Sequence, residues 1–147
     1  MKHTLPVLFM LALHVILIEF DAYTAPHVDS VMHFTGGIAL GILIFGLLSY
    51  AVKLRWILPP GRLLLFILIF SLVTTGAVFW EFSEWTLDTI LGTRMQPSLG
   101  DTMKDLLLGQ FGAIVYALAV ISSIERRSPA LHNPAGIQPS AVKQTNS

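Results

Sequence analysis

Asp29 and His33 stand four residues apart, Glu81, Glu84, Trp85 and Asp88 follow the i, i+3, i+4, i+7 pattern, and Asp101 and Asp105 again stand four apart. At helical spacing each group shares one face of its helix, so three helices can present ionisable side chains to a common point. A carboxylate one turn from an imidazole orients a metal ligand or tunes a general base. Asp29, His33, Glu81, Glu84 and Asp105 are therefore candidates for acid–base chemistry or metal ligation, with Asp88 and Asp101 as further candidate ligands. The chain has no Cys, which excludes disulfides, thiolate ligands and cysteine nucleophiles. A metal held by His and carboxylates alone is a borderline or hard divalent ion such as Zn, Mn or Fe. Neither H-E-x-x-H nor E-x-x-H occurs, so the signatures of zincin and ferritin-like centres are missing.

Each candidate also has a plainer reading. Asp29, Asp88 and Asp101 can be wet residues at a membrane boundary, and Asp101 and Asp105 suit the first turn of a helix, where carboxylates meet unpaired N–H groups. His33 can be a hydrogen-bonded packing residue, and His14 reads as packing or interhelical hydrogen bonding. Trp80 and Trp85 lie where aromatic belts anchor a membrane protein, or alternatively form a substrate wall. His27 is a further possible ligand. The plain reading is weaker for Glu81, Glu84 and Asp105: Glu81 follows an uncharged run of 18 residues and Asp105 precedes one of 19. An ionised group beside such a run needs a partner.

The elements that carry these residues are membrane helices. A chain of 147 residues that is 54% hydrophobic and only 12% charged, with a mean hydropathy of +0.70, is too apolar for a soluble domain of this size. The stretches 34–52, 63–80 and 106–124 carry no charge, and each is close to the ~20 residues that cross a ~30 Å hydrocarbon core. Residues 5–18 are shorter and include Pro6 and His14, leaving a fourth span or a cleaved signal open; Glu19 and Asp21 are poor neighbours for a cleavage site and favour the span. The expected fold is all-α, a four-helix antiparallel membrane bundle. Its membrane domain is 1–127, with spans near 4–20, 30–52, 63–85 and 104–124, followed by a disordered cytoplasmic tail at 128–147.

Charge segregation orients the bundle. Eight of the nine acidic residues follow the first apolar run or lie between the third and fourth, whereas seven of the nine basic residues fall in the N-terminus, the 53–62 loop and the tail. If basic segments stay inside, both termini are cytoplasmic and the acidic residues face outward. Gly37 and Gly41 form a G-x-x-x-G step on the His33 face, and Gly109 and Gly112 offer an opposing close-packed surface. Net charge is zero and basic residues are not interleaved with aromatics, so nucleic-acid binding is not indicated.

Asp29-x3-His33-Phe34 resembles the D-[KR]-x-x-H-F signature of VanZ-like membrane proteins. Trp80-Glu81-x2-Glu84-Trp85, Leu91-Gly92-Thr93, Gly100-Asp101-x3-Asp105 and Gly112-Ala113 are more similar to the YjdF-type branch of predicted bacterial inner-membrane proteins. The resemblance covers roughly 28–113. It departs at Ser30, where a basic residue is expected, and at Gly109, where the VanZ-like pattern has asparagine. What the resemblance implies is a small helical inner-membrane fold with these acidic and histidine residues in common. VanZ-like proteins are associated with glycopeptide resistance at the cell envelope, an association that does not transfer as a function.

Three functions suit this pattern. One is an outward-facing metal- or proton-dependent site, an enzyme centre among the alternatives, that acts on a lipid head group or envelope precursor. Another is a transporter or accessory permease subunit that captures a cation. A third is a structural protein whose charged loops bind a membrane protein partner.

Overall fold

The computed structural model describes residues 2–25 and 27–127; the expected tail at 128–147 lies outside the described residues. Four helices follow one another: α1 (Leu5–Glu19), α2 (Val28–Lys53), α3 (Arg62–Leu91) and α4 (Leu99–Arg127), with a short 3-10 turn, Ala22–Thr24, between the first two. Among the described residues there is no strand, in keeping with the all-α expectation.

The breaks have local causes. Pro6 sits in the first turn of α1, where its missing N–H is not needed. The Pro59-Pro60-Gly61 sequence separates α2 from α3, and α3 stops at Gly92, whose φ of 69° is a left-handed conformation that glycine adopts without steric cost. The α4 start is capped by Ser98, whose Oγ accepts the backbone N–H of Asp101 at 3.1 Å.

Helices α2, α3 and α4 are 26, 30 and 29 residues long, roughly 39–45 Å at ~1.5 Å per residue. These three are long and apolar enough to cross a membrane. Helix α1 has 15 residues, none of them buried. The α3 and α4 helices run well past the apolar stretches, because the carboxylate-bearing turns at their outer ends are packed together instead of splaying into solvent.

Side-chain contacts set the directions. Arg62 at the start of α3 donates to Glu125 near the end of α4 at 2.6 Å, while His33 at the start of α2 meets both the far half of α3 and the start of α4. Successive helices are thus antiparallel, and α2 runs parallel to α4. The closest approach in the bundle is made by that parallel pair. A Cβ on Gly37 would collide with the Gly109 backbone, and one on Gly112 with the Phe34 carbonyl, whereas Gly41 meets the Tyr116 ring, so of the G-x-x-x-G step only Gly37 faces an α4 glycine.

Below this contact lies an apolar core of Ile44, Leu65, Ile69, Val73, Ala113 and Ala117. Most other large apolar side chains point outward, including Phe79, Phe82, Leu107, Phe111 and Leu118, as expected where lipid is the solvent. Helix α1 lies on the flank of this three-helix body, against α2.

Candidate functional site

The expected convergence of three helices is present, and His33 is at its centre. Its Nε2 lies 3.3 Å from Asp29 Oδ1 and 3.9 Å from Asp105 Oδ2, and its Nδ1 lies 3.7 Å from Glu81 Oε1. Both ring nitrogens therefore face carboxylates. A neutral imidazole has one N–H, so in that state a lone pair must point at a carboxylate unless a proton or a metal ion stands between them. Glu81 is 5% exposed, Glu84 8% and Asp105 3%, burial that acidic side chains tolerate only with partners.

The two sides of the ring differ. On the Nε2 side, Lys104 Nζ reaches Asp101 at 2.7 Å, Asp29 at 3.4 Å and Asp105 at 3.5 Å, so a cation of the protein itself compensates those charges. Among the described residues neither Glu81 nor Glu84 forms an ion pair with a Lys or Arg. Each glutamate has one oxygen held by a neutral donor: the Gln96 amide donates to Glu81 Oε2 at 2.8 Å, and Trp80 Nε1 donates to Glu84 Oε1 at 2.8 Å. Glu81 Oε1, turned toward His33, is buried with no hydrogen-bond partner, and so is Asp105 Oδ1, which lies 3.5 Å from Lys104 Nζ. His33, Glu81 and Glu84 bring ligand-type atoms within 4.8 Å of one another, as do Asp29, His33 and Asp105.

Not every predicted residue joins. Asp88 caps the loop after α3, accepting from the Thr93 hydroxyl at 2.5 Å, from the Met95 N–H at 2.8 Å and from the Gln96 N–H at 2.8 Å. This places Gln96 over Glu81 and makes Asp88 a loop anchor. Asp101 stays at the rim with Lys104 and caps nothing in the centre. Trp85 is 59% exposed, so the face expected to hold it beside Glu81 and Glu84 divides, and Trp80 is the tryptophan that touches the cluster. His27, outside the cluster, precedes α2 in a left-handed conformation, φ 74°. Gln96 and Lys104 were not foreseen. Lys104 carried a signal, as a base three residues from Asp101 on the acidic side; Gln96 carried none.

His14 on α1 reaches the same region from the flank. Its Nδ1 lies 2.5 Å from the Tyr23 hydroxyl, and its ring meets Trp80 edge-on at 4.8 Å. Burial pushes the Tyr23 phenol up to about 12, with Asp29 and Glu84 adding to the rise, so the hydroxyl keeps its proton in its hydrogen bond with His14, whose direction the His14 tautomer sets. Between α1, α2 and α3 lies a cavity of about 280 Å³, apolar along most of its wall and ending at His14, Tyr23, His33, Trp80 and Glu84.

Comparison with known proteins adds a family and no activity. No curated protein and no solved structure matches the chain. A family model described as "Predicted membrane protein (DUF2238)" matches residues 3–126, which takes in all four helices and every residue of the cluster. With long apolar helices, a carboxylate–histidine cluster at one end and this match over most of its length, the chain belongs to the DUF2238 family of predicted membrane proteins.

Proposed function

We propose that the protein is a bacterial inner-membrane protein that holds one divalent cation at the outward end of its bundle and presents it to an envelope lipid head group. The ligands are His33 Nδ1, Glu81 Oε1 and the Glu84 oxygen not engaged by Trp80. The observation that carries this reading is the buried, unpartnered Glu81 Oε1 3.7 Å from His33 Nδ1. Ligand atoms around a tetrahedral ion with ~2.1 Å bonds stand about 3.4 Å apart, so little movement closes the shell. Asp29 beside Nε2 orients the ring in the manner of a carboxylate–histidine–metal triad, and Gln96 and Trp80 fix the two glutamates. Zn, Mn and Fe(II) suit this donor set.

An ion with three protein ligands keeps a position for a substrate oxygen or water, which it polarises. His33 and Glu84 line the cavity between α1, α2 and α3, so that position opens toward it. The orientation rests on the segregation of basic residues, and puts both termini in the cytoplasm. A YjdF-type identity is compatible with the family match, and α1 serves as a fourth, shorter span. The apolar core below the cluster and the Arg62–Glu125 pair at the opposite end favour a site over a transport path, because a cation would meet no polar relay on that route.

The test is metal content of the purified protein after stripping and reloading with Zn, Mn or Fe(II). About one equivalent is expected in the native protein and in Glu125→Gln, and none in His33→Ala or Glu84→Ala. Equal retention by all four proteins, or none in the native one, overturns the reading.

A further inference from the structure

We infer that the cavity beside the cluster receives the single alkyl chain of an amphiphile whose phosphate head completes the shell of the cation; this deepens the metal reading and rests on it. The cavity is bounded along α3 from Val73 to Glu84, about 16 Å at ~1.5 Å per residue. Its two ends differ in chemistry. Toward Val73 and Leu40 the lining is aliphatic, and at the other end Glu84, His33 and the Tyr23 hydroxyl gather. A volume of about 280 Å³ has room for one alkyl chain of about ten carbons.

Access is from the side. One wall is α1, which packs against α2 but makes little contact with α3 and has no buried residue, so a chain enters between α1 and α3 from the bilayer without disturbing the core. The opposite wall is thinned by Gly36, where an added Cβ would meet nothing within 4 Å. The head group is assigned by charge and geometry. The cation's open position faces the cavity, and a phosphate oxygen is a hard anionic donor for such an ion. An ammonium head would instead compete with the cation for Glu84.

The experiment uses dodecyl phosphate with a terminal diazirine, photolysed with the full-length, Zn-loaded protein in phosphatidylcholine nanodiscs, followed by peptide mapping and metal analysis of each sample. Labelling is expected on α1 around Met10 and Leu11 and on α2 at Leu40. Unlabelled dodecyl phosphate should compete, whereas inorganic phosphate and dodecyltrimethylammonium should not. Gly36→Leu fills the cavity and should lower labelling by about tenfold or more with metal content unchanged. Met10→Trp fills it from the opposite wall, on a helix with nothing buried, and serves if Gly36→Leu does not fold. Labelling spread evenly over the lipid-facing surface, labelling unaffected by the filling variants, or equal competition by dodecyltrimethylammonium overturns the inference while leaving the metal site standing. Competition by inorganic phosphate as strong as by dodecyl phosphate reassigns the site to free phosphate and also overturns it. A native sample without metal strikes the cation reading, and with it the head-group assignment.

Discussion

Glu81 Oε1 on α3 and His33 Nδ1 on α2 face each other at 3.7 Å with no hydrogen bond to the glutamate oxygen from any other group. A buried carboxylate oxygen without a partner costs stability, so its removal should separate stability from binding.

Glu81→Gln keeps the shape and removes the charge. In metal-free protein it should raise the melting temperature, because it relieves the crowding of Glu81 with Glu84 and Asp29 around one imidazole. In the same variant, affinity for Zn should fall by about tenfold or more, equivalent to ~1.4 kcal/mol. Thermal denaturation and metal titration of native and variant protein, with and without Zn, check both halves. A variant that is less stable without metal and binds it normally would contradict this account.

Gly37→Leu should disrupt the bundle, since its side chain would be driven into the Gly109 backbone, which cannot rotate away. A loss of about 1–3 kcal/mol or more is expected. Gly36→Ala, one residue earlier and facing open space, should be neutral or stabilising by about 0.5–1 kcal/mol. Unfolding titrations of both variants in mixed micelles measure the contrast.

Asp88→Ala releases three donors in the loop between α3 and α4: the Thr93 hydroxyl and the Met95 and Gln96 N–H groups. Hydrogen exchange at Met95 and Gln96 should quicken, with the core of α3 near Val73 unchanged. Metal affinity should weaken only to the extent that Gln96 no longer holds Glu81. A complete loss of metal would instead make Asp88 a ligand.

The orientation can be read with single cysteines, because the chain has none of its own. Arg94→Cys, in the exposed α3–α4 connection, should react with an impermeant thiol reagent on intact cells. Leu58→Cys, 87% exposed in the α2–α3 connection, should react only after the membrane is opened. The reverse pattern would put the cluster on the cytoplasmic side.

Much of this was legible because charge beside a long apolar run is costly, so its position carries information. The four-residue steps Asp29–His33 and Asp101–Asp105 and the three-residue step Glu81–Glu84 were readable from helix period alone, and the burial of Glu81, Glu84 and Asp105 near His33 follows from the similar lengths of the three apolar runs. The facing of Gly37 with Gly109 was legible for a related reason, since small residues on an ionisable face mark where backbones can meet. The rest depends on contacts without periodic signature. Asp88 sits on the expected turn of α3, yet the loop folds back onto it, and no pattern in 92–98 announces that Gln96 will cover Glu81. The link from His14 through Tyr23 crosses a turn whose geometry is set by left-handed residues, Asp21 at φ 53° and His27 at φ 74°, which sequence does not single out. Helix α1 was read as a crossing helix, and its 15 residues leave that as a proposal.

The meeting of Gly37 and Gly109 has a mechanical consequence. His33 is four residues before Gly37, and Asp105 is four residues before Gly109, so both side chains sit about 6 Å of helix rise above the point where the two backbones touch. That point is a fulcrum with a short arm toward the cluster and a long arm toward the opposite membrane face. If α4 tilts by about ten degrees against α2, Asp105 moves by about 1 Å relative to His33, whereas the end of α4 near Glu125, some 24 Å away along the helix, swings by about 4 Å. A tilt of α4 about that contact would therefore disturb the spacing at His33 far less than the Arg62–Glu125 pair at the other end.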